Sequence, residues 1–251
     1  MKSLFFGFFI LFASFLANAQ TENANQAMQE IFGEEIDLPT KYSFDKKVVM
    51  EIAMGNPEGD IKTLTYAMRY REDNSSVGMT PIQGDGEGRS SLGTTIIDFD
   101  QLKMITFIET NDTKMATVFS IGEDQLSSES SFAKNKPQFN PTGEEKEILG
   151  YNCKEYRVKS KKMTGTVWTS EDLDINLTKS FEALGLQFDI GDRDSEENTG
   201  GFIMEFETTD KESGKKIHMQ VKDIDLKDRF SLSTKGYIFT SMPVVEEEHR
   251  E

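Results

Sequence analysis

Residues 48–70, VVMEIAMGNPEGDIKTLTYAMRY, place apolar side chains at every second position on both sides of a polar centre. Val48, Met50, Ile52 and Met54 alternate with polar or small residues, and Leu64, Tyr66, Met68 and Tyr70 repeat the pattern. A period of two puts successive side chains on opposite faces of an extended chain, which is the signature of a half-buried strand. Between the two runs lies GNPEGD, with the Gly, Asn and Pro that tight turns use. The segment predicts an antiparallel hairpin, and the same rhythm governs most of the chain.

Working outward, Thr94–Asp98, Gln101–Thr110 and Thr113–Ile121 read as three further strands. The run LKMITFIE is apolar on both faces and predicts a strand near the centre of a covered sheet. Residues Gly122 to Gly143 break the rhythm and predict a long loop. Alternation resumes at Tyr151–Ser160 and Met163–Thr169, and the closing strands are Phe202–Thr208, Lys216–Ile224 and Phe230–Phe239. Leu173, Leu177, Phe181 and Leu184 recur at helical spacing after Ser170 or Asp172, which can cap, and before Gly185. Asn25–Gly33 reads as a short amphipathic helix. About ten antiparallel strands do not stay flat. The expected fold is therefore mainly β: a strongly coiled antiparallel sheet, a half-barrel, covered by one or two helices. Lead-in residues 20–44 precede a single domain over 45–240, and 241–251 form an acidic tail.

Composition narrows the function. Acidic side chains outnumber basic ones by 44 to 28, for a formal charge of -16. That balance argues against nucleic acid, whose binding is driven by Lys and Arg. At the start, Lys2, the apolar run Leu4–Leu16 and the small-x-small Ala17-Asn18-Ala19 predict a secretory signal over residues 1–19. The apolar run spans only ~20 Å as a helix, short of a ~30 Å bilayer core, so the expected mature chain is exported and not membrane-spanning. With one cysteine, Cys153, no internal disulfide forms. An exported chain held by its core alone fits a bacterial periplasm.

Chemistry-bearing motifs are sparse. The only histidines, His218 and His249, assemble neither a zinc site nor a Ser-His-acid triad. Cys153 lies on a strand with no base in view and reads as a small core residue. GDGEGR, holding Gly84, Gly86 and Gly88, fills its spacing with acids and does not make a phosphate loop. DIGDRDSEEN offers Asp189, Asp192, Asp194, Glu196 and Glu197, but the EF-hand glycine position holds Glu197, so a solvated loop is expected. No catalytic residue, metal or cofactor is expected. The more telling feature is the apolar face, where Met50, Met54, Met68, Met104, Met115, Met163, Met204 and Met219 lie on strands among Phe99, Phe119, Phe202 and Phe206. Methionine is flexible and polarisable: it suits a cavity for variable apolar ligands, and it equally fills an irregular β-core.

Glu144–Ile175, EEKEILGYNCKEYRVKSKKMTGTVWTSEDLDI, resembles a domain-of-unknown-function family of proteins exported by Gram-negative bacteria. The shared elements are Ile148, Gly150, Tyr151, Cys153 and Tyr156, followed by a strand ending in Trp168, with TIIDFDQLKMITFIE upstream, where Asp98 turns one strand into the next. The resemblance covers roughly residues 45 to 240. Such proteins are similar in architecture to the periplasmic lipoprotein carriers LolA and LolB, whose coiled half-barrel and covering helix enclose an apolar cavity. The resemblance implies that fold, but no activity. The expected function is a periplasmic, non-enzymatic binding protein that carries or senses a lipid or other hydrophobic ligand. Its cavity would be lined by Met50, Met54, Met68, Met104, Met115, Trp168, Phe181, Met204, Phe206 and Met219. The alternative is a cell-envelope interaction module with a filled core, which contacts a protein partner through edge strands or the 122–143 loop.

Overall fold

The computed structural model describes residues 36–56, 59–82, 93–110, 113–121, 138–175 and 201–242. They form fourteen strands: β1 (Lys41–Phe44), β2 (Lys46–Gly55), β3 (Ile61–Tyr70), β4 (Ser76–Ile82), β5 (Thr94–Asp98), β6 (Lys103–Thr110), β7 (Thr113–Ser120), β8 (Gln138–Ile148), β9 (Tyr151–Lys159), β10 (Met163–Ser170), β11 (Phe202–Asp210), β12 (Lys216–Asp225), β13 (Phe230–Ser233) and β14 (Ile238–Met242). Twelve of them make one sheet in the order β14-β7-β6-β5-β4-β3-β2-β12-β11-β10-β9-β8, and β1 pairs with β13 in a separate ribbon. The sheet is thus two meanders, β2 to β7 and β8 to β12, joined where β2 pairs antiparallel with β12.

The hairpin read from residues 48–70 is present in the expected register, with Val48 opposite Met68 and Ile52 opposite Leu64. Three expectations are corrected. The sheet is mixed, because β14 runs parallel to β7. It is also open, with β14 and β8 at its edges, and it is not strongly curled into a half-barrel. A separate ribbon buries one face near the β14 edge, so that face needs no curling to be covered. No helix occurs among the described residues. Leu173 and Ile175 are buried but not helical. The rest of the helix expected to run to Leu184, the stretch Asn25–Gly33 and the signal over 1–19 lie outside the described residues.

Strand boundaries differ for local reasons. The expected strand Phe230–Phe239 divides into β13 and β14, because Gly236 takes φ 84° between them. The final residues of the expected 122–143 loop belong to β8, whose Pro141 and Gly143 lie at a register shift between Pro141 and Glu145. An edge strand tolerates both a proline and a bulge. The apolar β6 is third from an edge and not central. The turn between β8 and β9 is Leu149-Gly150, both at positive φ, 54° and 85°. A two-residue hairpin turn needs that conformation at both positions, which accounts for Gly150 in the Ile148–Tyr156 block.

Cross-strand register sorts the side chains onto two faces. On one, Val48, Met50, Met68, Tyr70, Val77, Val167, Met204, Phe206, Met219 and Val221 are buried in one cluster with Leu173 and Ile175. Phe202, Ile203 and Met204 are all buried in succession, which the register shift opposite Trp168 and Thr169 allows. On the other face, Ile96, Ile105, Phe107, Ala116 and Val118 form a second cluster beneath Tyr42 and Phe44 of the ribbon. The Phe44 ring rests on Gly78, where an added Cβ would stand 3.1 Å from it.

Candidate functional site

The ribbon does not close completely on the sheet. A cleft of about 420 Å³ remains between them, lined by Thr94, Phe107, Glu109 and Lys114 from the sheet, by Phe230 to Ser233 from β13, and by Tyr237. Its floor is aromatic: Phe107 packs edge-on against Tyr237 at 4.9 Å between ring centres. Its rim is polar. Glu109 Oε1 accepts hydrogen bonds from Lys114 Nζ and from the Tyr237 hydroxyl, each at 2.7 Å. The Lys114 bond, followed by the Tyr237 bond, holds the Glu109 carboxyl below the usual carboxylate range. Burial, reinforced by Glu109, pushes the Tyr237 hydroxyl well above the ordinary tyrosine range. The rim therefore presents a fixed carboxylate, an ammonium and a protonated phenol.

The ribbon is anchored beside the cleft. Arg69 lies 4.2 Å over the Phe230 ring and donates to Asp228 at 3.1 Å and to Thr80 at 3.3 Å. At the other end of the ribbon, the Tyr42 hydroxyl donates to Asp98 Oδ2 at 3.1 Å. Asp98 Oδ1 accepts from the amides of Asp100 and Gln101, so this buried carboxylate also ends β5 and turns the chain into β6.

A second polar group lies on the same face of the sheet, toward the β8 edge. Lys146 donates to Glu205 at 2.7 Å and sits 4.1 Å over the Trp168 ring, while His218 Nε2 lies 3.4 Å from the other Glu205 oxygen. Burial would raise the Glu205 carboxyl, but Lys146 and His218 outweigh it and hold the group below its usual range. Cys153, opposite Lys146 across the β8–β9 pair, is fully buried, and burial pushes its thiol up. A thiol held protonated beside a paired carboxylate is not an activated nucleophile.

The sequence-derived cavity residues are brought together in part. Met50, Met68, Met204, Phe206 and Met219 share one closely packed cluster, each no more than 4% exposed. Met54 is on the same face but 40% exposed. Met104 and Met115 are half-buried on β6 and β7. Trp168 is half-buried with its ring under Lys146. Phe181 lies outside the described residues. None of the nine described ones lines the cleft, whose residues escaped the sequence reading. Its floor and rim come from strands more than a hundred residues apart, and the only local signal was the aromatic pair Tyr237 and Phe239. Among the described residues, no group of three His, Cys, Asp or Glu side chains could hold a metal ion.

A family model described as "Domain of unknown function (DUF4412)" matches residues 47–231. No curated protein matches the chain. Among solved structures, it is similar to PNGF-II, with 16% identity over 78% of this chain and a TM-score of 0.40, and it spans 31% of that protein's length. A LolA superfamily protein from Nitrosomonas europaea is 11% identical, with 81% of this chain and 94% of that chain covered and a TM-score of 0.33. A DUF1329 family protein from Desulfovibrio piger is 10% identical over 72% of this chain and 85% of that chain, with a TM-score of 0.26.

Proposed function

The chain belongs to the DUF4412 family, and from that premise we propose that it is a periplasmic, non-enzymatic binding protein that carries or senses an amphiphilic ligand, a lipid foremost. The observation that carries this reading is the cleft under the ribbon. Its volume of about 420 Å³ falls in the range of small-molecule sites, and it joins an aromatic floor to a few convergent polar groups. The Glu109–Lys114 pair is neutral overall and offers both an anion and a cation to a head group, while Phe107, Phe230 and Leu232 face an apolar tail. The non-enzymatic part of the reading is supported by Cys153, whose burial keeps its thiol from the reactive thiolate form.

The methionine face is a second seat with its own support. The Tyr70 hydroxyl is fully buried in that cluster and has no hydrogen-bond partner among the described residues. An unpartnered buried hydroxyl costs about 1–3 kcal/mol, which a ligand's polar group would offset. The methionines around it deform at low cost.

The test is native mass spectrometry of gently purified protein, followed by organic extraction and displacement of a fluorescent fatty acid. A bound lipid is expected, and Leu232→Trp, which fills the cleft from β13, should weaken probe binding at least tenfold. Retained binding in Leu232→Trp with loss in Met204→Leu/Met219→Leu would move the ligand to the methionine face. A folded protein that binds no amphiphile at all would overturn the proposal in favour of an envelope interaction module with a filled core.

A further inference from the structure

The antiparallel register brings the turns β2–β3, β9–β10 and β11–β12 to one end of the sheet. Seven lysines are exposed there: Lys62, Lys159, Lys161, Lys162, Lys211, Lys215 and Lys216. Among the described residues of these three turns the acids are Asp60, Asp210 and Glu212, and the first two are engaged in their own turns. Asp60 bonds Asn56, and Asp210 accepts from the Ser213 amide and hydroxyl. The opposite end of the same strands carries Asp45, Asp73, Asp172, Asp174, Asp223 and Asp225 together with Lys46, Lys47, Arg71 and Arg229, and Lys47, Arg71 and Arg229 pair with Asp223, Asp73 and Asp45. In a chain with a formal charge of -16, the three turns are therefore a local cationic patch at one end of the strands.

That extremity is also greasy. Met54 pairs with Ile217, and Leu64 pairs with Ile52, all on the face that holds the methionine core. Met54, Leu64 and Ile217 are 40%, 41% and 38% exposed, and Ile61 beside them is 68% exposed. Lysines flanking exposed apolar side chains at the tips of adjacent turns match an anionic bilayer surface. The apolar groups enter the head-group boundary, while the lysine stems lie along it with their ammonium groups on phosphates.

We propose that this end of the sheet docks the protein onto anionic lipid membranes, with the opposite end directed away. The chain's net negative charge disfavours approach through its acid-rich surfaces and so favours this one. The docking surface is separate from the cleft, so its test stands or falls independently of the ligand.

The experiment is flotation of the purified protein with vesicles of phosphatidylcholine alone or with 30% phosphatidylglycerol, at low and high NaCl. Wild type is expected to float with the anionic vesicles at low salt and to be released at high salt. Lys62→Glu/Lys161→Glu/Lys216→Glu should lower the partition coefficient on the order of tenfold or more. Met54→Ser/Leu64→Ser/Ile217→Ser should lower it at low salt too, with circular dichroism confirming a folded sheet in both. Lys41→Glu/Lys227→Glu/Lys235→Glu makes the same change in net charge elsewhere and should bind as wild type does. Equal loss in that control, equal binding to neutral vesicles, or no flotation of wild type would overturn the proposal. Wild type that ignores vesicles yet binds immobilised polyglutamate in a salt-sensitive way would assign the surface to an acidic protein instead.

Discussion

Glu205 illustrates how much a single side chain depends on partners that the linear sequence does not place beside it. Lys146 and His218 reach its two oxygens from strands on either side. The carboxyl is held below its usual range, so its contribution to stability is present at neutral pH and is lost as pH falls through that range and below. Glu205→Gln should cost ~1 kcal/mol at pH 7 and should flatten the fall in stability from about pH 5 to about pH 3. Urea unfolding at several pH values checks this, and an unchanged acid slope would show that the ion pair adds nothing. At this scale the sequence was legible in type and not in company. Cys153 was read as a small core residue and is fully buried. His218 was read as facing solvent, and it is partly exposed on β12 against Glu205. The Lys146–Glu205 bond joins residues 59 positions apart, beyond the reach of any local pattern.

Among the elements, the β1–β13 ribbon was the least legible and is the one that makes the cleft. Each strand has four residues, too few for a period of two to be distinguished from chance, and they pair Lys41 with Ser233 across most of the chain. The β4 segment SVGMTPI contains a glycine and a proline, which weaken a strand signal. The glycine has a packing reason, since the Phe44 ring occupies the space a side chain would need. Gly78→Val should therefore lift the ribbon, lower stability by about 1–3 kcal/mol and accelerate amide exchange in β1 and β13 ahead of β2 and β3. Uniform exchange across all four strands would mean that the ribbon and the sheet open together. β2 and β3 were read as strands because their apolar residues alternate in sequence over most of their length, whereas β8, the longest, carries Pro141 and Gly143 and few apolar residues, so its first half was read as loop.

For the molecule as a whole, alternation reported the strands but not the curvature, which is set by bulges, edges and what covers each face. The expected half-barrel rested on ten strands not staying flat, with helices over the open side, whereas the β1–β13 ribbon takes over one face at the β14 edge. A global property is reported by the single thiol. Cys153 is fully buried, and its burial pushes the thiol away from the reactive thiolate. An aromatic disulfide reagent should leave the native protein unlabelled over hours, and the labelling rate in urea should track loss of β-sheet circular dichroism. Labelling that runs well ahead of that loss would identify separate opening of the β8–β9 edge.

The seam between the two meanders has a kinetic consequence. Within each meander every strand pairs with its neighbour in the chain, across short turns except between β4 and β5 and between β10 and β11. The seam instead matches Met54 with Ile217 and Val48 with Ile224, which requires closing a loop of well over a hundred residues before any pairing compensates the lost entropy. The β1–β13 ribbon and the β14–β7 pair carry the same entropic cost, and until the seam forms β2 and β12 are strands on which a neighbouring unfolded chain can add.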